Sequence, residues 1–90
     1  MKKLSEKEIS QKLKKIPGWM KQNKTITRLY VFKKFLGAIA FVNWVADEAE
    51  GMDHHPDIFI QYNKVRLTLS THSAGGLTHL DFELARKVDR

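Results

Sequence analysis

The sequence contains no cysteine, and this absence excludes several kinds of chemistry. Without thiols the chain has no disulfide framework, no thiol nucleophile and no cysteine-based zinc site. It also lacks an apolar run long enough to cross a membrane, and its start, Met1-Lys2-Lys3-Leu4-Ser5-Glu6, lacks the apolar stretch of a signal peptide. We therefore expect a cytoplasmic protein without membrane contacts.

Internal repeats, low-complexity segments and linker-like tracts rich in Pro, Gly or Ser are also absent. The 90 residues, 42% of them apolar, therefore predict one domain over residues 1–90. A chain of this length buries only about 60–65% of the surface that its unfolded form exposes. Association between copies of this chain would therefore bury additional surface.

The excess positive charge is confined to the first part of the chain. Residues 1–24 carry eight lysines and two glutamates, whereas residues 25–90 carry eight basic and eight acidic side chains. Nucleic-acid sites usually combine basic residues with aromatic or arginine contacts, and the basic segment offers only lysines and Trp19. We interpret it as the solvated face of a helix and expect no nucleic-acid partner.

The chain begins with a predicted helix and two predicted strands. Ser5-Glu6-Lys7-Glu8 has the form of a capping box, and apolar residues at helical spacing continue the helix to about Lys15. Pro17-Gly18 ends this helix. Residues 19–23 and 25–32 are predicted strands, and the second is rich in β-branched and aromatic side chains.

A long helix is predicted from Phe35 to about Met52. Its core stripe is assigned to apolar residues that recur at helical spacing, namely Phe35, Ile39, Val42, Ala46 and Ala49. Phe41 and Trp44 fall beside or opposite this stripe, so the helix is apolar over most of its circumference. We expect the side with Phe41 and Trp44 to form a subunit interface in a homodimer or homotetramer. The alternative is a helix laid across the sheet with Trp44 partly exposed.

The last third of the chain contains a predicted hairpin and a short helix. Residues 58–70 form the hairpin, which turns at Asn63-Lys64 and has a strictly alternating second strand. Residues 73–76 are expected to be a flexible connection, and Thr78 is the predicted N-cap of a helix with Asp81 in its first turn. The order helix-strand-strand-helix-strand-strand-helix predicts an α+β fold, with a four-stranded antiparallel sheet and three helices packed on one face.

Three of the four histidines flank the predicted hairpin. His54 and His55 precede its first strand and His72 follows its second, so the hairpin folds His72 back beside the pair. Pro56 keeps His55 out of the helical region, and both rings of the pair are expected to project from an extended turn. Imidazole exchanges protons near neutral pH, which favours a proton-transfer site. His79 is expected to be exposed.

Longer motifs around these histidines carry a resemblance to a known family. They are Glu50-Gly51-Met52-Asp53-His54-His55-Pro56-Asp57, Tyr62-Asn63-Lys64-Val65, Leu67-Thr68-Leu69-Ser70-Thr71-His72 and Gly76-Leu77-Thr78 with Asp81. In this order and at these spacings, they resemble the pterin-4a-carbinolamine dehydratases. The similarity extends more weakly to Gly18-Trp19 and through the long helix, so it covers nearly the whole chain.

The resemblance implies an enzyme that removes water from a 4a-hydroxytetrahydropterin to give the quinonoid dihydropterin, in support of tetrahydrobiopterin recycling. Neither a metal nor an organic cofactor is implied. The implied catalytic residues, acting as general acids and bases, are His54, His55 and His72. The implied substrate-binding residues are Glu50, Asp81 and Trp19.

Two other functional classes are compatible with parts of the sequence. A mononuclear metal hydrolase could use the three histidines and a carboxylate, but the chain lacks His-x-His and His-x-x-x-His spacing. A binding module is the second class, because some members of the resembled family also act as dimerisation partners of a transcription factor. The apolar Phe41 and Trp44 face could serve that use in addition to catalysis.

Overall fold

The computed structural model describes residues 1–89. In chain order its elements are α1 (Glu6–Leu13), β1 (Met20–Gln22), β2 (Thr25–Val31), α2 (Phe35–Met52), β3 (Asp57–Gln61), β4 (Lys64–Leu69) and α3 (His79–Val88). A short 3₁₀ turn at His72–Ala74 lies between β4 and α3. The strands form one antiparallel sheet in the order β1-β2-β4-β3. The predicted α+β fold and the order of its elements are confirmed.

The first helix, α1, begins with the predicted capping box. Glu8 N–H donates to Ser5 Oγ at 3.2 Å, and Ser5 N–H donates to Glu8 Oε1 at 2.9 Å. Hydrogen bonding of the Glu8 carboxyl to Ser5, first through the Ser5 backbone N–H, holds the pKa of that carboxyl below its ordinary value. The helix ends at Leu13, earlier than the predicted Lys15. Lys15 and Ile16 donate to carbonyls three residues back, so the chain tightens into a 3₁₀-like turn there.

The two central strands, β2 and β4, provide much of the core face of the sheet. In β4 the residues Val65, Leu67 and Leu69 are buried and alternate with exposed or half-buried polar residues, as predicted. The turn into β4 lies at Tyr62-Asn63, one residue earlier than predicted. Asn63 Nδ2 donates to Phe32 O at 2.7 Å, which ties this turn to the end of β2.

The long helix α2 has the predicted span but turns a different face to the core. Its buried residues are Ala38, Phe41, Val45 and Ala49; of the predicted core stripe only Ala49 is buried, Val42 is half-buried against the core, and the other members are wrong as core residues. Phe41 packs against Tyr30 and Phe32, with ring centroids 4.5 and 5.2 Å apart, and is therefore not an interface residue. Hydrophobic periodicity does not identify the buried face of a helix that is apolar on most sides. Packing against the Tyr30 and Phe32 rings determines which face is buried.

The outer face of α2 is the side of the helix that carries Phe35, Leu36 and Ile39. Leu36 is 74% exposed and Phe35 is 45% exposed, while Ile39 is half-buried. Trp44 is half-buried and packs against the core, with its ring 6.3 Å from that of Phe41. The helix therefore does present a second apolar side, but at residues other than Phe41.

The end of α3 is attached to the sheet through Asp89. Its Oδ1 accepts hydrogen bonds from Trp19 Nε1 at 3.1 Å, an Arg28 guanidinium nitrogen at 2.9 Å and the Tyr30 hydroxyl at 2.8 Å. Arg28 also lies over the Tyr30 ring, 4.7 Å from its centroid. Burial, followed by the hydrogen bond to Asp89 and its negative charge, raises the pKa of the Tyr30 phenol well above its ordinary value.

Candidate active site

The end of α2 sends the two adjacent histidines in different directions. Asp53 caps the helix in the left-handed conformation (φ 52, ψ 42), and its N–H donates to Ala49 O and Glu50 O. His54 N–H also donates to Ala49 O, at 3.1 Å. After this reversal His54 is only 8% exposed, whereas His55 faces solvent. The prediction that both rings project is therefore correct for His55 and wrong for His54.

Asp81 is the buried partner of His54. The predicted N-cap at Thr78 is confirmed, and it forms a capping box in which Thr78 N–H donates to Asp81 Oδ2 at 2.9 Å. The Thr71 hydroxyl donates to the same oxygen at 2.9 Å. The other oxygen, Oδ1, lies 2.6 Å from His54 Nε2. Asp81 is fully buried and both of its oxygens have partners, so the structure places it to orient His54.

This arrangement determines which nitrogen of His54 can exchange a proton with a ligand. An ionised carboxylate only accepts hydrogen bonds, so the proton between Asp81 and His54 is carried by Nε2 of the ring. Within residues 1–89, Asp81 is the only hydrogen-bond partner of the His54 ring. Nδ1 is therefore the free nitrogen, and it can accept a proton in the neutral ring or donate one in the charged ring.

His55 is paired with Glu50 on the surface. His55 Nε2 lies 3.3 Å from Glu50 Oε2, and the two side chains are 57% and 72% exposed. Glu50 lies in the last turn of α2, so helix geometry holds its carboxylate beside the turn that carries His55. An exposed pair of this kind contributes at most about 1 kcal/mol, but it favours the tautomer of His55 that leaves Nδ1 free.

His72 lies on a short loop that is closed by backbone hydrogen bonds. The loop is bounded by a bridge between Thr71 and Gly76, and Thr71 N–H donates to Gly76 O at 3.0 Å. Gly75 turns the chain in the left-handed region (φ 75), which strains most side chains, and its N–H donates to His72 O at 3.0 Å. Residues 73–76, predicted as a flexible connection, are thus part of a hydrogen-bonded turn. His72 itself is exposed on this loop.

The His72 loop and the His54 turn meet at the Asp81 carboxylate. Thr71, the neighbour of His72, and His54 bind the two oxygens of the same Asp81 carboxylate. Thr71 was not predicted as a site residue. One signal was available, because Thr71 ends the apolar face of β4, and a polar side chain on a buried face requires a hydrogen-bond partner.

Trp19 lies elsewhere. Its indole donates to Asp89 and its ring makes an edge contact with Tyr30, 6.4 Å between centroids. Asp81 is in the first turn of α3 and Asp89 follows its last residue, so about 12 Å of helix separates the two aspartates. The described chain therefore does not bring the buried Trp19, which is 5% exposed, to the histidines.

Residues 1–89 contain neither a metal-binding cluster nor a membrane-spanning helix. No cluster of three or more His, Cys, Asp or Glu side chains in this range has an arrangement that could hold a metal ion. None of the helices formed by these residues has both the length and the apolarity to span a bilayer.

Known proteins share both the sequence and the fold. The chain is 52% identical over 88 residues to a protein of Thermomicrobium roseum, covering 98% of this chain and 95% of the other. It is 49% identical over 89 residues to a protein of Sulfurisphaera tokodaii, covering 99% and 96%. Both relatives are provisionally named pterin-4-alpha-carbinolamine dehydratase.

Solved structures also share the fold. A transcriptional coactivator/pterin dehydratase from Brucella melitensis has a TM-score of 0.92 and 43% identity, covering 96% of this chain and 94% of that one. A pterin dehydratase-like RuBisCO assembly factor of the alpha-carboxysome has a TM-score of 0.67, covering 79% and 84%, and at 23% identity it shows the fold alone. The family model described as Pterin 4 alpha carbinolamine dehydratase matches residues 2–90. With nearly the whole chain matched in both sequence and fold, the protein belongs to the pterin-4-alpha-carbinolamine dehydratase family.

Proposed function

We propose that this protein dehydrates a 4a-hydroxytetrahydropterin to the quinonoid dihydropterin by histidine acid–base catalysis. The observation that carries the proposal is the His54–Asp81 pair, in which a buried carboxylate 2.6 Å from Nε2 leaves Nδ1 as the free nitrogen. Membership of the dehydratase family supports the same reaction. An oriented imidazole beside two solvent-accessible ones supplies the groups that this chemistry needs.

The reaction requires two proton transfers. The bond between C4a and the hydroxyl oxygen breaks, and the bonding pair leaves with the oxygen, which takes up a proton and departs as water. The N5–H bond gives its proton to a base, and its electron pair forms the C4a=N5 double bond. Each positioned proton transfer contributes typically about 10²–10⁴-fold to the rate, and groups that titrate near the working pH serve best.

We assign His54 and His72 as acids that reach the C4a hydroxyl from different sides. His55, held by Glu50, binds the substrate and takes the proton from N5. Asp81 acts through His54, since both of its oxygens are occupied inside the protein. Substrate binding by Trp19 stays a prediction based on the resemblance, because its indole is engaged by Asp89.

The proposed chemistry also indicates the cofactor requirement and the metabolic role. Imidazoles suffice for both proton transfers, so the proposed reaction needs neither a metal nor an organic cofactor. The product belongs to tetrahydrobiopterin recycling, and we place that role in the cytoplasm.

We also propose a homodimer or homotetramer, because Leu36 is 74% exposed on the outer face of α2.

A protein-binding role is the second candidate. The outer face of α2 could seat another protein, and the solved relative from Brucella melitensis is described as a transcriptional coactivator as well as a pterin dehydratase. In this role the protein would act as a dimerisation cofactor of a transcription factor. Such binding would leave the histidines free and would add to the catalytic role.

The test follows the loss of 4a-carbinolamine absorbance with and without the protein, after exhaustive dialysis against a strong chelator. We expect dialysed protein to accelerate dehydration and His54→Ala to lower kcat by about 10–10³-fold. His79→Ala is the matched control, since His79 is an exposed histidine in the first turn of α3. Absence of activity in the wild type would contradict the proposed function, and activity lost on chelation and restored by zinc would contradict the acid–base mechanism.

A further inference from the structure

Thr71 lies in a buried cluster of polar side chains behind His54. Thr71 is 7% exposed, and Thr78 and Asp81 are fully buried. The Thr71 hydroxyl lies 2.9 Å from Asp81 Oδ2 and 2.8 Å from the Thr78 hydroxyl. Because buried polar groups have few alternative partners, the positions of the protons in this cluster are constrained.

The two ends of the cluster set the direction of its hydrogen bonds. Leu80 N–H donates to the Thr78 hydroxyl oxygen at 3.3 Å, and Thr78 N–H donates to Asp81 Oδ2 at 2.9 Å. The Asp81 carboxylate only accepts, so Thr71 gives its one hydroxyl proton to Oδ2. Thr78 then donates its hydroxyl proton to Thr71. The reverse orientation would direct a lone pair of Thr71 at the carboxylate.

We propose that Thr71 is a positioning residue for the dehydration. Its hydroxyl holds Oδ2 of Asp81, so that Oδ1 stays aligned with His54 Nε2 and the free Nδ1 faces the substrate. The proposal rests on the function proposed above, and it extends that function to a residue that touches neither the pterin nor His54 directly. Thr78 contributes by orienting the Thr71 hydroxyl.

The side chain and the backbone of Thr71 form separate sets of hydrogen bonds. Its backbone closes the His72 loop through hydrogen bonds with Ala74 and Gly76. Among residues 1–89, its hydroxyl forms hydrogen bonds only with Thr78 and Asp81. A change confined to the hydroxyl therefore alters the support of His54 while keeping the hydrogen bonds of the His72 loop.

The experiment compares three substitutions. Thr71→Val removes the hydroxyl at nearly constant shape, and Thr71→Ser restores it. Thr27→Val is the matched control, because Thr27 is also a buried threonine, 6% exposed, whose hydroxyl donates to Leu67 O at 2.9 Å within the sheet. Thr71→Ala is a second variant, in which a water molecule can enter the space and the protein tolerates the change more easily.

Two measurements separate positioning from a general structural role. Nitrogen-15 NMR of the His54 ring should show the Nε2–H tautomer in the wild type, Thr71→Ser and Thr27→Val, and a tautomer mixture in Thr71→Val and Thr71→Ala. In the dehydration assay, Thr71→Val should lower kcat by about 10–100-fold with KM unchanged, since misorientation of a reacting group affects turnover. Thr71→Ser should recover most of this loss.

The proposal is overturned if folded Thr71→Val or Thr71→Ala keeps the wild-type tautomer and kcat. It is also overturned if unliganded wild type carries the proton on Nδ1 of His54. These NMR comparisons require no substrate. A wild type that lacks dehydratase activity would contradict the proposed function, whereas an unchanged tautomer would contradict the positioning role, so the two failures are distinguishable.

Discussion

His54 and Thr71 bind opposite oxygens of one buried carboxylate, that of Asp81, at 2.6 and 2.9 Å. His54 follows α2 and Thr71 follows β4, so Asp81 joins two segments that the β3–β4 hairpin separates along the chain. Thr71 immediately precedes His72. The shared carboxylate is therefore the physical reason why the His54 turn and the His72 loop stay together.

Replacing Asp81 with Asn should damage catalysis more than folding. The amide can still accept from Thr71 and Thr78 through its oxygen, but its NH₂ group then faces His54 Nε2 and favours the opposite tautomer. Because Asp81 acts through His54, we expect kcat to fall by about 10–10³-fold, no further than in His54→Ala. Asp47→Asn, at an exposed position of α2, is the control. Equal activity of the two variants would remove Asp81 from the mechanism.

His72 and His79 are both exposed but should differ in function. His72 lies next to Thr71 on the loop fixed at Asp81, whereas His79 begins α3. We expect His72→Ala to lower kcat by about 10–10³-fold and His79→Ala to leave it within about two-fold. The double variant His54→Ala/His72→Ala should be far slower than either single variant. If His79→Ala proves as damaging as His72→Ala, the site must be built around α3.

Glu50→Gln should have a small, salt-dependent effect. The Glu50–His55 pair is 3.3 Å apart and largely exposed, so solvent and ions screen it. We expect kcat/KM to fall by no more than about five-fold at low salt, and the difference to shrink as salt is added. The measurement is kcat/KM at two ionic strengths, with Glu48→Gln as the control. A loss above about 100-fold would instead indicate direct catalysis by Glu50.

Leu36→Glu should dissociate a homo-oligomer without unfolding the monomer. Leu36 is 74% exposed on the outer face of α2, whereas Phe41 belongs to the core and a charge there would unfold the chain. Sedimentation and circular dichroism should report a smaller but folded particle. Met20→Glu, which changes an apolar residue 69% exposed on β1, is the control. A monomeric wild type would remove the reason for an interface on this helix.

Tyr30 should make the protein sensitive to alkaline pH. Burial and the Asp89 carboxylate raise the pKa of Tyr30 above its unfolded value of about 10. The neutral phenol therefore stabilises the fold fully below about pH 10, and this contribution is lost as the pH rises further. We expect Tyr30→Phe to have a lower urea midpoint than the wild type at pH 8. Between pH 8 and pH 10.5, the midpoint of Tyr30→Phe should fall less than that of the wild type. Tyr62→Phe, at an exposed position, should follow the wild type at both pH values.

The local elements of this protein were predictable because short-range chemistry specifies them. The capping box at Ser5, the N-cap at Thr78, the span of α2 and the alternation of β4 all follow from residue types at fixed spacing. The motifs around His54 and His72 likewise predicted the family.

The sequence did not determine which face of α2 is buried or in which direction His54 points. The buried face of α2 was mispredicted because apolar side chains surround that helix, and only packing against Tyr30 and Phe32 distinguished Phe41 from Phe35. The inward direction of His54 was missed because its partner, Asp81, lies 27 residues away. The sequence by itself determined the elements and the chemical groups of the site, since these depend on neighbours along the chain. The tertiary structure alone decided that His54 and Thr71 bind the same Asp81 carboxylate, because a buried hydrogen bond exists only where packing excludes water from both partners.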